Sequence, residues 1–333
     1  MSQMPDLLAM IAALRSSVGR GAIIRRRVDP SSPVDVFVGI EPSTGHIGVL
    51  LRLHRRLIPP ERDYPGGAGF AIQIHAIAED VKDFINLGIF CTDEACEDVF
   101  LHFMEDIVSR LLEESGPEEA LRAFLARVSL WQRFFVQGRD VHLSEDAQAG
   151  LFGELLVLRD LIIPATSPGI AVAAWKGPEG KPQDYMLAGG ALEVKCTKAK
   201  AGGRIPIANE LQLDERPFEF LILVHVSVSL AGDGHPSLPE IVADVRSLLT
   251  GPAISAFDDK LITAGYLDAH IDYYQECRFL VRDVNFFHVR DKFPHIRPGD
   301  FPSGVVEIAY KIDLAGIMPY KIEKSAAEAM LRT

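Results

Sequence analysis

The chain has 333 residues, of which 48% are hydrophobic and 24% are charged, and its formal net charge at pH 7 is −12. This composition is typical of a globular protein with room for two domains of ordinary size. No apolar run approaches the length that a membrane-spanning helix needs, which argues against a membrane protein. The acidic balance argues against nucleic-acid binding through overall charge, although it leaves room for a local site.

The first part of the chain is predicted to form a strand-rich α+β domain. Leu7–Leu14 has the pattern of a short amphipathic helix, and no basic leader precedes it, so we expect no secretory signal. The four cysteines form no CxxC pair, which favours a reduced, cytoplasmic protein over a structural zinc site. Predicted strands are Ala22–Ile24, Val34–Ile40, Ile47–Leu53, Ala71–His75 and Phe84–Phe90, and predicted helices are Glu94–Glu114 and Pro117–Phe135.

The order of elements changes near residue 140, where we place a domain boundary between residues 1–140 and 141–333. The second domain is predicted to begin with the helix Glu145–Ile163, with Ser144 as its N-cap. The alternation that follows predicts an α/β fold with a sheet covered on both faces. Predicted strands are Ile170–Trp175, Asp184–Leu187, Ala191–Thr197, Phe220–Leu230, Arg278–Val284 and Gly304–Ile312, and predicted helices are Leu238–Thr250, Ala253–Ala264 and Ile322–Leu331.

Glu193 and Lys195 are the first candidate site residues. On a strand over Ala191–Thr197 both side chains project from one face, while Leu192 and Val194 face the other way into a core. The acid-x-Lys pattern alone is weak evidence, because an ion pair on the surface of a strand explains it equally well. Only this copy is flanked by apolar residues on a strand with a buried pattern; the other copies are Asp80-x-Lys82, Glu179-x-Lys181 and Asp258-x-Lys260.

Asp184 is predicted to lie close to Glu193. The Gly189-Gly190 pair is a turn signal, and two strands joined through it would bring the aspartate beside the partner strand. Two carboxylates and a lysine would then converge. The alternative is an ordinary aspartate at the start of a strand or in a turn.

Glu154 is a candidate because of its position on the predicted helix. It falls within an apolar stripe that includes Leu151, Leu158 and Leu161. A carboxylate that faces a core is costly unless a metal ion or a hydrogen-bond partner satisfies it. A glutamate at the margin of the stripe, on the helix surface, is the alternative.

Together these residues resemble the PD-(D/E)XK nuclease superfamily, and in particular a group of uncharacterised bacterial proteins with this motif. The resemblance covers about residues 144–315. The chain departs from the motif because Gln183 precedes the aspartate and the proline is Pro182, but all charged positions are filled. The resemblance depends on Gly153-Glu154-Leu155, Asp184, Glu193-Val194-Lys195, Trp175-Lys-Gly-Pro, Gln212-Leu213 and Tyr310-Lys-Ile-Asp.

The resemblance implies a restriction-endonuclease-like mixed sheet flanked by helices, with a metal-dependent site. Asp184 and Glu193 would bind Mg²⁺ or Mn²⁺, and Glu154 would bind a second metal ion or position the waters of the first. Lys195 would orient or help to deprotonate the attacking water and balance charge in the transition state. Gln212 would hydrogen-bond the water or a phosphate.

The function implied by the resemblance is endonucleolytic hydrolysis of DNA, with a role in restriction or phage defence. The expected partners are DNA, a second copy of the chain or the subunits of a defence complex, and no membrane. The alternative is a catalytically silent subunit of the same fold that binds nucleic acid or takes part in assembly. Lys198, Lys200 and Arg204 follow the motif strand and are compatible with phosphate contacts or with a solvated loop.

Overall fold

The contacts within the chain divide it into two units, residues 1–139 and residues 140–333. Within the described residues, none of the helices combines the length and the apolar character needed to span a bilayer. All four cysteines are free, with Cys91 buried and the others partly exposed. The computed structural model describes residues 6–17, 23–58, 64, 69–77, 83–93, 96–136, 142–198, 203–305 and 307–332.

The first unit contains an antiparallel five-stranded sheet in the order β1-β2-β3-β5-β4. Helix α1 begins at Asp6, whose side chain accepts a hydrogen bond from the backbone amide of Ala9 at 2.9 Å. The elements are α1 (Leu7–Arg15), β1 (Ile24–Arg27), β2 (Val36–Ile40), β3 (Ile47–His54), β4 (Phe70–His75), β5 (Phe84–Cys91), α2 (Glu97–Leu112) and α3 (Pro117–Val136).

Helices α2 and α3 pack against each other, as their amphipathic patterns predict. Asp106 of α2 makes polar contacts with two residues of α3. It accepts a hydrogen bond from Trp131 Nε1 of α3 at 2.7 Å and forms a salt bridge with Arg127. This pairing satisfies an indole N–H that is otherwise buried.

The second unit is an α/β fold built on a mixed five-stranded sheet in the order β12-β10-β9-β7-β6. Strands β7 and β9 are parallel, and the remaining pairs are antiparallel. The strands of the unit are β6 (Tyr185–Met186), β7 (Gly190–Lys198), β8 (Arg204–Ile207), β9 (Phe220–Ala231), β10 (Arg278–Val289), β11 (Tyr310–Asp313) and β12 (Lys321–Ile322).

The two faces of this sheet are covered by different elements. Leu192 and Val194 belong to a core shared with the helices, whereas Ala191 belongs to a second core with Ile205 and Ile312 of the small β8–β11 sheet. The predicted alternation along β7 is therefore confirmed. The helices are α4 (Glu145–Val157), α5 (Ile163–Ala165), α6 (Pro168–Ala174), α7 (Leu238–Ser247), α8 (Pro252–Thr263), α9 (Ile271–Tyr274), α10 (Leu314–Ile317) and α11 (Lys324–Leu331).

The strand predicted over Ile170–Trp175 is wrong, because these residues lie in and just after helix α6. Ser167 caps the helix by accepting a hydrogen bond from the amide of Ile170 at 3.5 Å, and Pro168 occupies its first turn. Two predicted strands are shorter than expected: Asp184–Leu187 is reduced to β6, and Gly304–Ile312 forms a strand only from Tyr310. Helix α4 begins at Ser144 as predicted and continues into a π-helical turn, Leu158–Ile162.

Candidate functional site

Helix α4 approaches strand β7 very closely at Gly153. A Cβ atom at this position would lie 2.8 Å from Cys196 Cβ and 3.3 Å from its Sγ, which is too close for any larger residue without a shift. The contact brings the next residue on the helix, Glu154, beside the sheet. The glycine in Gly153-Glu154 therefore has a packing function.

Glu193 and Lys195 form an ion pair on one face of β7. Lys195 Nζ lies 2.7 Å from Glu193 Oε1, and the glutamate side chain is 1% exposed, whereas that of the lysine is 16% exposed. Neither carboxylate oxygen of Glu193 has a hydrogen bond of good geometry from any described residue. The pair thus leaves a buried carboxylate only partly satisfied, a costly arrangement in the absence of a further partner.

Asp184 lies immediately before β6, and Tyr185 of that strand is paired with Leu192 of β7. Its Oδ2 atom accepts a hydrogen bond from the backbone amide of Val194 at 2.8 Å. The aspartate is therefore held against the strand that carries Glu193 and Lys195. The strand pairing through the Gly189-Gly190 turn produces this approach.

Glu154 faces Asp184 across Gly177. A Cβ atom on Gly177 would lie 2.8 Å from Glu154 Oε2 and 2.9 Å from Asp184 Oδ1, so the two carboxylates border the same small space. Trp175 Nε1 donates a hydrogen bond to Glu154 Oε2 at 2.7 Å, and the Tyr185 hydroxyl donates to the Glu154 backbone carbonyl at 2.8 Å. Both Glu154 and Asp184 retain some exposure to solvent, so the cluster is not fully sealed from water.

The three carboxyl groups are difficult to ionise together in this environment. Burial, followed by the charge of Asp184, raises the pKa of Glu154 and that of Glu193 well above the ordinary value. Burial also raises the pKa of Asp184 to about 6, although the Val194 amide and the Lys195 charge oppose the shift. Such a cluster favours a cation, because positive charge is what would stabilise the ionised forms.

Gln212 lies beside Lys195. Its Oε1 atom accepts hydrogen bonds from Lys195 Nζ at 3.0 Å and from the backbone amide of Ala208 at 2.8 Å. Gln183, which replaces the proline of the motif, is buried and donates to the carbonyl of Leu211 at 2.6 Å. Gln183 therefore ties the chain before Asp184 to the segment that carries Gln212.

The basic residues after the motif lie in different environments. Lys198 forms ion pairs with Glu145 and, at 2.7 Å, with Asp146 at the start of α4. Arg204 is exposed on β8. Lys200 lies outside the described residues, so a phosphate contact from these three residues stays a prediction.

Trp175 and Gly177 also border the site, although the sequence pattern does not mark them as site residues. The predicted strand Ile170–Trp175 includes Trp175, whereas the contact of its indole with Glu154 depends on helix α6. The available signal was the pairing of a bulky donor with Gly-Pro in Trp175-Lys-Gly-Pro, close before Asp184.

The donor set of the site fits a hard divalent cation. Carboxylate oxygens are the ligands that Mg²⁺ and Mn²⁺ prefer, and the buried oxygens of Glu193 have unfilled capacity. Across the described ranges, however, no three His, Cys, Asp or Glu side chains are arranged to hold one metal ion as they stand. The donors therefore have the right chemistry for such a cation, but their side chains would have to move before they could coordinate one.

Comparison with family models matches residues 10–315 to DUF4420, which is described as "Putative PD-(D/E)XK family member". The chain belongs to this family. The predicted superfamily is thereby confirmed, and the match is wider than the expected residues 144–315, because the family also includes most of the first unit. Comparisons with curated proteins and with solved structures gave no match.

Proposed function

We propose that the chain is a divalent-metal-dependent endonuclease that hydrolyses phosphodiester bonds of DNA. The observation that carries the proposal is the convergence of Glu154 and Asp184 on the space beside Gly177, with the Glu193–Lys195 ion pair on the neighbouring strand. Membership of the PD-(D/E)XK family supports the same conclusion. The proposed core is the restriction-endonuclease-like arrangement, formed by α4 and strands β6, β7, β9 and β10.

Asp184, Glu193 and Glu154 would hold Mg²⁺ or Mn²⁺. When bound, the cation would polarise a phosphodiester group and make a bound water more acidic. Asp184 has its Oδ2 atom fixed by the Val194 amide, so this side chain offers a preorganised ligand. Glu193 would turn from its ion pair, which supplies no good hydrogen bond to either oxygen.

Lys195 would act directly on the reacting phosphate. Its ammonium group is partly exposed and is held between Glu193 and Gln212, so it can donate a hydrogen bond to a phosphate oxygen or orient the attacking water. A fixed positive charge there would stabilise the charge that develops in the transition state. Gln212 would act by keeping the ammonium group in position.

The biological role that we propose is restriction or phage defence in the cytoplasm. Cutting both strands of a duplex requires two sites, so a homodimer or a larger defence complex is the expected working form. A net charge of −12 favours the alternative of a silent subunit in such a complex, because overall charge would not attract DNA.

A cleavage assay tests the function. Purified protein with Mg²⁺ or Mn²⁺ should cut or nick plasmid, linear, single-stranded or modified DNA. Lys195→Ala should lower the cleavage rate by about 10²–10³-fold, because one preorganised charge is lost from the transition state. Asp184→Asn should cost at least as much, since it removes a ligand of the cation.

The matched control is Lys321→Ala, which removes an exposed strand lysine from the same unit and should leave cleavage unchanged. A wild-type protein that binds DNA and a divalent cation but cuts none of the substrates would support the silent-subunit alternative. A protein that binds neither would exclude the nuclease function. Equal cutting by wild type and Lys195→Ala would reveal a contaminating enzyme.

A further inference from the structure

The segment Trp175–Gly177 contacts both Glu154 and Asp184, which belong to different parts of the chain. Its tryptophan side chain bonds to Glu154 of helix α4 at 2.7 Å. Its backbone amides, at Lys176 and Gly177, both donate to the carbonyl of Asp184, at 2.6 Å and 3.1 Å. One short segment therefore positions the side chain of Glu154 and the backbone of Asp184.

The position of Trp175 is itself rigidly determined. The side chain is 0% exposed, and its ring lies 5.7 Å from that of Phe257 on helix α8. Lys260 of the same helix donates hydrogen bonds to the Trp175 carbonyl and, at 2.6 Å, to Glu179 just after the segment. A donor that is held from several sides can keep a flexible glutamate in one orientation.

Gly177 has no side chain, so the space between the carboxylates of Glu154 and Asp184 is left unfilled. The point that a Cβ atom would occupy lies 2.8 Å and 2.9 Å from one oxygen of each carboxylate. Those distances are slightly longer than the bonds from a divalent cation to oxygen, which are about 2.0–2.6 Å. A side chain at this position would fill the space that a cation shared by Glu154 and Asp184 needs.

We infer that Trp175 and Gly177 are part of the proposed cation site. Trp175 is the positioning residue for Glu154, and Gly177 leaves room for the ion between Glu154 and Asp184. This inference rests on the proposed function. It assigns a role to two residues outside the acid-x-Lys motif, because both should increase the affinity of the site for the cation. Neither residue is required to touch the substrate.

The chain contains a matched control for Trp175. Its other tryptophan, Trp131, is equally buried and donates its Nε1 hydrogen to a carboxylate oxygen of Asp106 at the same distance of 2.7 Å. Trp131→Phe and Trp175→Phe therefore remove the same chemical interaction, in the first unit and at the site respectively. For Gly177→Ala the control is Gly169→Ala, where a Cβ atom would meet no other atom within 4 Å.

Isothermal titration of each folded variant with Mn²⁺ measures cation affinity in the absence of DNA. Trp175→Phe should weaken binding by about 10–100-fold relative to Trp131→Phe, as expected for loss of an outer-shell partner of a ligand. Gly177→Ala should weaken it at least as much relative to Gly169→Ala. Circular dichroism spectra should establish that the variants compared are folded.

Tryptophan fluorescence provides a second measurement that leaves the site unaltered. In Trp131→Phe the only fluorophore of this type is Trp175, whose indole donates to a proposed ligand. Titration with Mg²⁺ should change its emission, and the change should saturate over the concentration range set by the affinity for Mg²⁺ that calorimetry gives for the same variant. In Trp175→Phe the emission of Trp131 should not respond to Mg²⁺.

Equal Mn²⁺ affinity in Trp175→Phe and Trp131→Phe would overturn the role of Trp175, and equal affinity in the two glycine variants would overturn that of Gly177. If Trp175→Phe does not fold, the fluorescence titration decides, and an unchanged emission from Trp175 at saturating Mg²⁺ overturns the inference. A wild-type protein that binds no divalent cation would instead refute the proposed function. The two failures are therefore distinguishable.

Discussion

At the scale of single residues, the site places three carboxyl groups close together in a largely buried environment. Burial is the largest cause of the raised pKa at Glu154, Asp184 and Glu193, and Lys195 offsets it only in part. A folded protein retains such a cost when the groups serve a function. The cluster should therefore lower the stability of the metal-free protein at neutral pH.

This cost can be measured at Asp184. A pKa raised from 3.8 to about 6 means that the folded state holds the proton more tightly than the unfolded chain. The stability from this group is full below its ordinary pKa and is lost as pH rises through about 6. An asparagine side chain does not titrate, and its introduction removes the charge that, second to burial, raises the pKa of Glu154 and of Glu193. The unfolding free energy of Asp184→Asn minus that of wild type should therefore increase, by on the order of 2 kcal/mol, between about pH 4.5 and 7.5.

The measurement is urea unfolding of both proteins in the presence of a chelator, at several pH values across that window. The asparagine introduced by Asp184→Asn retains an oxygen that can accept from the Val194 amide, so loss of that hydrogen bond should not obscure the result. A difference that stays constant with pH would show that Asp184 is not destabilised by its surroundings.

The candidate residues were accessible to sequence reasoning to different degrees. Glu193 and Lys195 could be placed on one face from the period of a strand, and Asp184 from a turn signal. Trp175 could not, because its contact with Glu154 depends on tertiary packing between helix α4 and the segment after α6. The exposure of Lys198 to a ligand could not be predicted either, since its acidic partners lie on a distant part of the sequence.

At the scale of elements, helix α6 shows why a local pattern can mislead. Its residues Ile170 and Val172 are β-branched, which favours a strand. Ser167 followed by Pro168 is an N-cap and first-turn signal, and it outweighs the preference of the residues that follow. The predicted bounds of the long strands β7 and β9 are nearly correct, because β7 alternates apolar with polar residues and β9 begins with a continuous apolar run.

The approach of α4 to β7 provides a prediction at this scale. Gly153→Ala should lower the unfolding free energy by about 1–3 kcal/mol, because the new Cβ would lie 2.8 Å from Cys196 Cβ and force the helix away from the strand. Gly150→Ala, on the same helix, meets no other atom within 4 Å and should raise it by up to about 1 kcal/mol through helix propensity. Thermal and urea unfolding of the two variants should move in opposite directions.

Because Glu154 follows Gly153 directly, Gly153→Ala should also weaken Mn²⁺ binding, whereas Gly150→Ala should not. If both alanine variants are stabilised to the same extent, the helix and the strand are further apart than the structure places them. That outcome would also weaken the argument that helix α4 supplies a ligand.

At the scale of the whole molecule, the family model matches a much longer part of the chain than the part that contains the proposed site. The family model begins at residue 10 and so includes most of the first unit, whereas every residue of the proposed site belongs to residues 140–333. The first unit has its own antiparallel sheet, with hydrophobic residues buried along β2, β3 and β5. We therefore expect a cation to stabilise the second unit selectively.

Hydrogen exchange followed by mass spectrometry can test this selectivity in the intact chain. Binding at a hundredfold excess over the dissociation constant stabilises a protein by about 2.7 kcal/mol, so amides that exchange through opening of the site should slow by about a hundredfold. With Mg²⁺, the slowing should include the amides of Lys176, Gly177 and Val194, which bond to Asp184. Amides of β3 and β5 should exchange at unchanged rates, and Asp184→Asn should abolish the effect. Equal slowing in both units would contradict a local effect, and no slowing in either unit would contradict the cation site itself.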